Sequence, residues 1–447
     1  MSQGGRQFYD FNGQQPNNEQ NTNNFGDICT LINSNLIGKD LTFQGPFGLR
    51  KVLYCDYIAS GRSLKFIEDF IINEVLPHYG NTHTTTSVTS LQTSMYRHEA
   101  KDVIRNAVHA SEHDSVILVG SGCTGAIHRL INGLNLKNSK KDILVFVSNQ
   151  EHHSNLLPWR ELGATVIRIK ETLDGLIDLK DLDTKLNNFK NADNVMIGCF
   201  SAASNITGLL NDDIKITAIL HNHGALSFWD YATAAPYVDI WMNPKAPGDV
   251  DNLCAKDAIY FSMHKFVGGV QTPGVLVAKK ELFKNNSAPL ESGGGSVFYV
   301  TEDDHKYLKE TELREEAGTP AIVESIRAGL VMKLKRSVDP ELILNREHEL
   351  LLKCKEKLAN NENFILLGNG FQDPDRHLPI LSFMIKAPAT KFVGCHFYLH
   401  HNFVCALLND LFGIQARGGC ACSGPYAQGL IEFTPNTKIC TFFCDIF

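Results

Sequence analysis

The feature that most constrains the fold is an alternation of short apolar runs and helical patterns between about residues 112 and 280. Near-continuous apolar runs are typical of strands that are buried on both faces of a parallel sheet. We predict strands at 115–119, 143–147, 165–169, 195–200, 225–229, 258–261 and 274–278, with helices at 124–134 and 155–162. The pattern therefore predicts an α/β fold with a mainly parallel sheet covered by helices. Ligands of such sheets bind beyond the carboxyl ends of the strands, so residues that follow strands are site candidates.

The chain has 447 residues, which is enough for two domains. We expect a disordered polar tail at 1–40, a large domain at 41–325 and a smaller α/β domain at 326–447. A helical pattern at 322–335 leads out of the large domain. In the small domain we predict helices at 340–359 and 402–410 and strands at 380–385 and 414–417.

Composition excludes several classes of protein. The net charge of -7 is mild, so we expect no nucleic-acid partner. No apolar run is long enough to cross a membrane, so we expect no membrane partner. The twelve cysteines show no pairing rhythm, and the start of the chain does not read as a signal peptide. A cytoplasmic location is therefore expected.

The tetrapeptide 262–265, Ser-Met-His-Lys, follows the apolar run at 258–261. An amine in a dry pocket has a lowered pKa, so Lys265 is a candidate for Schiff-base formation. Ser262 and His264 beside it are suited to hold a phosphate. This combination of groups is difficult to explain as a contribution to stability alone.

The segment 120–125, Gly-Ser-Gly-Cys-Thr-Gly, lies between a predicted strand and a predicted helix. It matches the dinucleotide fingerprint, and Glu151 near the end of the next strand is a candidate for the ribose-binding acid. A second interpretation is an anion bound at the helix N-terminus, with the Thr124 hydroxyl as an additional donor. A tight turn that requires glycine explains the segment equally well.

Three further strand ends each allow a functional and a structural interpretation. His152 is suited to lie flat on a planar cofactor, or its segment merely starts a helix with Ser154 as the cap. Asn205 is suited to bond a ring substituent, or it forms a turn. Asp230 is suited to pair with a cationic pyridine nitrogen, or it caps a helix. No metal site is expected, because the histidines of segment 151–155 lack further ligands at fitting spacing. Taken together with Lys265, these groups fit one ligand, pyridoxal phosphate.

The same residues carry a resemblance to a known family. The chain resembles the class V aminotransferase group of fold-type I pyridoxal-phosphate enzymes, most closely its cysteine desulfurase and selenocysteine lyase branch. The resemblance covers roughly residues 50 to 430. It rests on the segments YCDYIAS (54–60), GCTGAI (122–127), EHHSNLLPW (151–159), SNITG (204–208), DYATAAP (230–236), SMHK (262–265), EAGTP (316–320) and RGGCAC (417–422).

The resemblance implies a role for each matching position. Lys265 would bind the cofactor covalently, His152 would stack on its ring, and Cys422 would be the catalytic nucleophile. Thr319 would reach the cofactor of a neighbouring subunit, which implies a homodimer. On the substrate side the resemblance implies His83 and Arg417. The cofactor-binding set that it implies is Gly122, Thr124, Gly125, His152, Asn205, Asp230, Thr233, Ser262, His264, Lys265 and Thr319.

The resemblance also implies the chemistry of the cysteine segment. In the desulfurases a loop thiolate attacks the substrate sulfur and becomes a persulfide, which implies an amino-acid substrate and a sulfur-acceptor protein. Cys420 would then either resolve the persulfide or be a mere neighbour of Cys422. Zinc binding by this Cys-x-Cys pair is the structural alternative, but no second pair is spaced to complete a site.

Two positions depart from the family pattern. Thr233 stands where the family usually has glutamine, which suggests a divergent subfamily with another substrate. No arginine follows Arg417 in the sequence, although the family uses one there to hold the substrate carboxylate. We therefore expect a small domain that is truncated or altered at its end.

These observations favour a cysteine desulfurase-like enzyme that converts cysteine to alanine plus an enzyme persulfide. A pyridoxal-phosphate aminotransferase, or another amino-acid lyase, is the first alternative. A non-catalytic homologue that binds the cofactor is the second. A dinucleotide-dependent oxidoreductase is the third, but it leaves Lys265 and Asp230 unexplained.

Overall fold

The computed structural model describes residues 24–190, 192–245, 252–283, 288–387 and 397–431, with side chains from residue 28 onward. The strands are β1 Thr42–Gly45, β2 Gly48–Lys51, β3 Leu53–Tyr54, β4 Asp114–Val119, β5 Asp142–Val147, β6 Thr165–Arg168, β7 Asn194–Ser201, β8 Leu226–Asp230, β9 Ala258–Ser262, β10 Gly274–Lys279, β11 Val297–Val300, β12 His305–Tyr307, β13 Phe364–Leu366, β14 Phe383–Ile385 and β15 Ile414–Gln415. The α-helices are α1 Asn24–Asn35, α2 Lys65–Phe70, α3 Val88–Ala107, α4 Gly122–Gly133, α5 His153–Glu161, α6 Leu179–Asn187, α7 Asp213–Asn222, α8 Thr311–Glu315, α9 Ile322–Ser337, α10 Pro340–Leu358, α11 His401–Phe412 and α12 Gly424–Leu430. No helix in these ranges is long and apolar enough to cross a membrane.

Seven strands form the central sheet in the order β4-β10-β9-β8-β7-β5-β6. Strands β9, β8, β7, β5 and β6 pair in parallel, and β10 is antiparallel to both of its neighbours, β4 and β9. The apolar runs at 112–280 therefore form one mainly parallel sheet, which confirms the predicted fold class. Because all strands except β10 point the same way, their carboxyl ends meet at one edge of the sheet.

Successive side chains along each strand point to opposite faces of the sheet, so each strand contributes to two apolar layers. On β4, Val116 and Leu118 join the core that lies against α3 and α9, whereas Ile117 and Val119 join the core that lies against α4. A strand that is buried on both faces needs apolar residues at every position, which is why these strands read as continuous apolar runs.

The outer edge of β4 is covered by glutamate side chains. Glu312 Oε1 accepts the backbone N–H of Val116 at 2.7 Å, and Glu316 Oε1 accepts that of Leu118 at 2.7 Å. The two carboxylates in turn pair with Lys101 and Arg97 on α3. Occupied backbone N–H groups protect an edge strand from pairing with another chain.

The expected domain boundaries differ from the observed elements at two points. Helix α1 lies within the range 1–40 that was expected to be a disordered tail, and Ile28 on it is buried. The boundary expected after residue 325 falls inside α9, whose Ile326 and Leu330 belong to the main core. Strand β3 pairs with β15, so an early segment also adds to the C-terminal unit. The division into two domains stays a prediction.

Candidate active site

A cavity of about 210 Å³ lies where β4, β5, β7, β8 and β9 end. Nine of the predicted site residues line it: Thr124, His152, Asn205, Asp230, Thr233, Ser262, His264, Lys265 and Arg417. Ile58, Ala59, Ser121, Cys123, Ser154, Ser201, Ala203, Ala232 and Ala421 complete its wall. Side chains that lie far apart in sequence thus meet because parallel strands end at one edge.

One end of the cavity is built around the start of α4. Gly122 has a φ of 59°, and a Cβ there would lie 2.6 Å from Ser262 Oγ, so the close approach of the two segments requires glycine. A Cβ on Gly125 would overlap the carbonyl oxygen of Gly120. The backbone N–H of Cys123 donates to Ser262 Oγ at 3.0 Å. The start of a helix together with the Thr124 and Ser262 hydroxyls is suited to bind a phosphate.

The opposite wall carries a buried carboxylate. Asp230 is 4 % exposed, and its Oδ1 accepts the backbone N–H of Ala232 at 2.8 Å and lies 3.6 Å from Cys123 Sγ. Burial raises the pKa of this carboxyl group. Among the described residues, no cationic side chain lies within ion-pair distance of Asp230. A buried carboxylate without a cation is costly, so a cationic ligand atom fits this position.

The amine of Lys265 faces the same cavity. Its pKa is lowered, mainly by burial, although Cys123 and Asp230 oppose the shift. A lowered pKa increases the fraction of neutral amine, which is the nucleophilic form.

His152 has a defined protonation state. Burial, with a smaller contribution from Lys265, lowers the pKa of His152 to about 4, so its imidazole is neutral at pH 7. Its Nδ1 accepts the backbone N–H of Ser154 at 3.1 Å, which makes His152 the cap of α5. The proton of the neutral ring is therefore on Nε2. Ser154 was predicted as the cap of this helix, and the structure shows that His152 is the cap instead. The His152 imidazole also lines the cavity.

The dinucleotide interpretation is disfavoured by the surroundings of Glu151. This residue is 1 % exposed, and its carboxylate accepts hydrogen bonds from Ser148, Asn155 and Ser201 at 2.6–2.7 Å. Burial raises its pKa. A carboxylate that is occupied in this way cannot bind a ribose, and it instead ties together the ends of β5 and β7.

The cysteine segment lies at the rim of the cavity. Arg417 and Ala421 line the cavity, whereas Cys422 is exposed and does not line it. The Arg417 Nε donates to Asp56 Oδ1 at 2.8 Å. Asn205, which was expected to contact a cofactor ring, donates to the backbone oxygen of Ala421 at 2.7 Å.

Two residues assigned by the resemblance lie outside the cavity. His83 and Thr319 are exposed on a neighbouring surface, where Asn81 Nδ2 donates to Thr319 Oγ1 at 3.2 Å. The ring of His83 packs so closely on Gly295 that a Cβ there would lie 2.5 Å from His83 Cε1. Two further predicted positions, Gly122 and Gly125, also lie outside the lining, at the start of α4. Within the described ranges, no group of three potential metal ligands occurs.

Sequence reasoning missed several residues of the site. Ser121, Cys123 and Ser201 line the cavity without having been singled out, although each lies at or just after a strand end. The strand-end rule was therefore a sufficient signal for them. Asp56 and His153, which contact the cysteine segment, had no such signal because their partners lie more than 250 residues away.

Comparisons with known proteins agree with this geometry. A family model described as aminotransferase class-V matches residues 53–432. A probable cysteine desulfurase of Halalkalibacterium halodurans is 28 % identical over 335 residues, which is 74 % of each chain. A probable cysteine desulfurase of Staphylococcus aureus is 26 % identical over 389 residues, which is 85 % of each chain.

Solved structures show the same fold. The apo cysteine desulfurase of Thermococcus onnurineus superposes with a TM-score of 0.69 at 22 % identity, covering 85 % of this chain and 87 % of that one. The Escherichia coli cysteine desulfurase CsdA gives a TM-score of 0.64 at 21 % identity, covering 87 % and 89 %.

The residues present fit pyridoxal phosphate. The start of α4 suits its phosphate, the buried Asp230 suits its protonated ring nitrogen, and the Lys265 amine faces the same space. This fit and the match to more than four fifths of the sequence agree. The chain belongs to the class V aminotransferase family, whose members depend on pyridoxal 5'-phosphate.

Proposed function

We propose that this protein is a cysteine desulfurase-like enzyme that converts cysteine to alanine and transfers the sulfur atom to Cys422. The observation that carries the proposal is that Lys265, Asp230 and His152 meet in one cavity whose rim is formed by the Cys422 segment. The relatives named above, which are described as probable cysteine desulfurases, support the choice of substrate.

In this proposal the cofactor is held at three points. Thr124, Ser262 and His264 would bind the phosphate, Asp230 would keep the ring nitrogen protonated, and in the resting enzyme Lys265 would bind the aldehyde carbon. Bound pyridoxal phosphate supplies an electron sink for the amino acid that is attached to it. Thr233 lines the cavity beside Asp230 and contributes a hydroxyl where the family usually has an amide.

The protein's own residues then bind the substrate and move protons. Arg417 is the arginine of the cavity lining, so we assign it to the substrate carboxylate. Its Nε donates to Asp56 Oδ1, and in this proposal its two terminal nitrogens bind the substrate carboxylate. The pKa of Lys265 is lowered, mainly by burial, so its amine is suited to accept the proton of the substrate Cα, and the neutral His152 keeps a proton on Nε2 at the cavity wall.

The sulfur step uses Cys422. Its thiolate attacks the substrate sulfur, a bond forms between the two sulfur atoms, and the bond between Cβ and sulfur breaks. The electron pair of the broken bond remains on Cβ, which is protonated to give alanine. Cysteine and one enzyme thiol thus become alanine and one enzyme persulfide, with no other reactant required.

The proposal includes a homodimer. Thr319 is exposed rather than in the cavity of its own chain, as expected for a residue that serves a neighbouring subunit. Val88, Leu91 and Met95 form an exposed apolar stripe along α3, a pattern typical of a surface that is covered in an assembly.

The proposal also includes an acceptor protein for the sulfur and a cytoplasmic location. An exposed Cys422 is accessible to a partner. The structure records no disulfide among the cysteines that it describes, which suits a reducing compartment.

The test is an assay of alanine and sulfide formation from cysteine with a thiol reductant present. We expect the wild type to form both in equal amounts, and both Lys265→Ala and Cys422→Ser to lose alanine formation. An aminotransferase or another lyase would keep its activity in Cys422→Ser. A non-catalytic homologue would bind the cofactor and form no alanine, and either result would contradict the proposal.

A further inference from the structure

The turn that carries Cys422 has an unusual backbone. The Ser423 N–H donates to the Cys420 carbonyl oxygen at 2.9 Å, which closes a tight turn over four residues. Its central residues, Ala421 and Cys422, have φ values of 46° and 60°. Turns of this kind favour asparagine and glycine, because a Cβ disfavours positive φ. Two ordinary residues persist in this conformation only where their surroundings hold them.

His153 holds the turn from one side. Its backbone N–H donates to the Cys422 carbonyl oxygen at 2.7 Å, and its Nε2 accepts the backbone N–H of Gly424 at 3.0 Å. His153 is the first residue of α5 and directly follows His152, whose imidazole lines the cavity. The turn is therefore fixed relative to the same helix start that places the ring-stacking histidine.

Asn205 and Ser423 hold the turn from the other side. The Asn205 amide donates to the Ala421 carbonyl oxygen at 2.7 Å, and its oxygen accepts the Ser423 hydroxyl at 2.7 Å. Asn205 follows β7 and lines the cavity. Three hydrogen bonds from His153 and Asn205 thus meet three consecutive peptide units of the turn, and a fourth joins Asn205 to the Ser423 hydroxyl.

We propose that His153 is a positioning residue for the nucleophile, and that with Ser423 it latches the strained turn so that Cys422 is held at the mouth of the cavity. The inference rests on the proposed function, because it assigns a task to these contacts only if Cys422 is the sulfur-accepting thiol. Holding a nucleophile near its target accelerates the reaction, because less conformational entropy is lost when the transition state forms.

We expect the hydrogen bonds of His153 and Ser423 to affect the turnover of cysteine but not that of 3-chloroalanine, so the two substrates can be compared. Cysteine requires thiol attack to release its sulfur. 3-Chloroalanine does not, because chloride would leave with the electron pair of its bond to Cβ once the Cα proton is removed, without attack by a thiol. Turnover of 3-chloroalanine therefore reports the cofactor site alone, and turnover of cysteine reports the cofactor site together with the turn.

The experiment compares His153→Ala, Ser423→Ala and wild type as cofactor-loaded enzymes. Loss of one partly buried hydrogen bond corresponds to a change of about fivefold, so we expect each variant to lower kcat for alanine formation from cysteine by about that factor. We expect the cofactor absorbance and the turnover of 3-chloroalanine to stay at the wild-type level. Hydrogen exchange of the Gly424 amide should become faster in His153→Ala.

The matched control is His153→Gln. Its side-chain oxygen is an acceptor for the Gly424 N–H, so we expect cysteine turnover closer to wild type than in His153→Ala. Unchanged cysteine turnover in His153→Ala would overturn the latch, and so would an equal loss with both substrates. Cys422→Ser separates the two proposals, because undiminished cysteine turnover in that variant refutes the proposed function itself.

Discussion

The ion-pair cluster at the edge of β4 yields the sharpest stability prediction. The Glu316 side chain is 2 % exposed and pairs with Arg97, whose side chain is 10 % exposed, and with Lys101 at 2.8 Å, whose side chain is 6 % exposed. Its Oε1 also accepts the Leu118 N–H. Removing one partner of a buried pair leaves uncompensated charge and costs about 3–5 kcal/mol. A typical domain has about 5–15 kcal/mol of stability in total, so this loss is a large fraction of it.

We therefore predict that Glu316→Gln lowers the free energy of unfolding by about 3–5 kcal/mol, although glutamine still offers an acceptor to Leu118. Urea unfolding at one protein concentration, followed by circular dichroism, measures the change. The control is Asp69→Asn, which removes an exposed pair with Lys65 and should cost less than about 1 kcal/mol. Equal, small changes in both variants would refute the argument that burial makes the Glu316 cluster costly to break.

Three further predictions concern the cavity. The pKa of His152 in the folded protein is about 4, below the usual 6.5. The unfolded chain therefore binds a proton at this residue first, which lowers the free energy of unfolding as pH falls from about 6.5 towards 4. His152→Asn keeps a capping side chain and should reduce the difference in unfolding free energy between pH 7 and pH 5 by about 2 kcal/mol. Urea unfolding measures this difference, and identical pH profiles for the variant and the wild type would contradict the prediction. Gly125→Ala should weaken cofactor binding at least about tenfold in spectral titration through its overlap with Gly120, whereas Gly429→Ala, which meets no atom within 4 Å, should not. Ala421→Gly should stabilise the cysteine turn by about 1 kcal/mol, seen as slower hydrogen exchange of the Ser423 amide, and faster exchange would contradict the strain.

The sheet and the cavity could be predicted because they follow local rules. Buried parallel strands need continuous apolar runs, so the runs that became β4, β5 and β7 were visible in the sequence. Polar residues that follow such runs had to meet at one edge, which is why Lys265 and Asp230 could be placed in one site.

Helix α3 was not predicted, and its burial pattern explains why. Its buried face includes Arg97 and Lys101, which are balanced by glutamates more than 200 residues away, while Val88 and Met95 are exposed. Helix prediction from apolar spacing assumes that apolar side chains are buried and that charged side chains are exposed. The ion pairs that make this helix stable are tertiary contacts, which a local pattern does not contain.

The contacts of the cysteine turn could likewise not be predicted from the sequence. Asn205 was assigned to a cofactor ring on the strength of its position after a strand, and the structure shows its amide engaged with Ala421 and Ser423. The positive φ values of the turn also had no signal, because neither central residue is glycine or asparagine.

The central claim is that the Lys265 amine holds pyridoxal phosphate. Borohydride reduction of the cofactor-loaded enzyme, followed by proteolysis and mass spectrometry of the peptides, tests it most directly. We predict that the reduced cofactor is attached to Lys265 alone and that Lys265→Ala yields no labelled peptide. Attachment to another lysine, or a wild-type enzyme that takes no label, would contradict the assignment of the site.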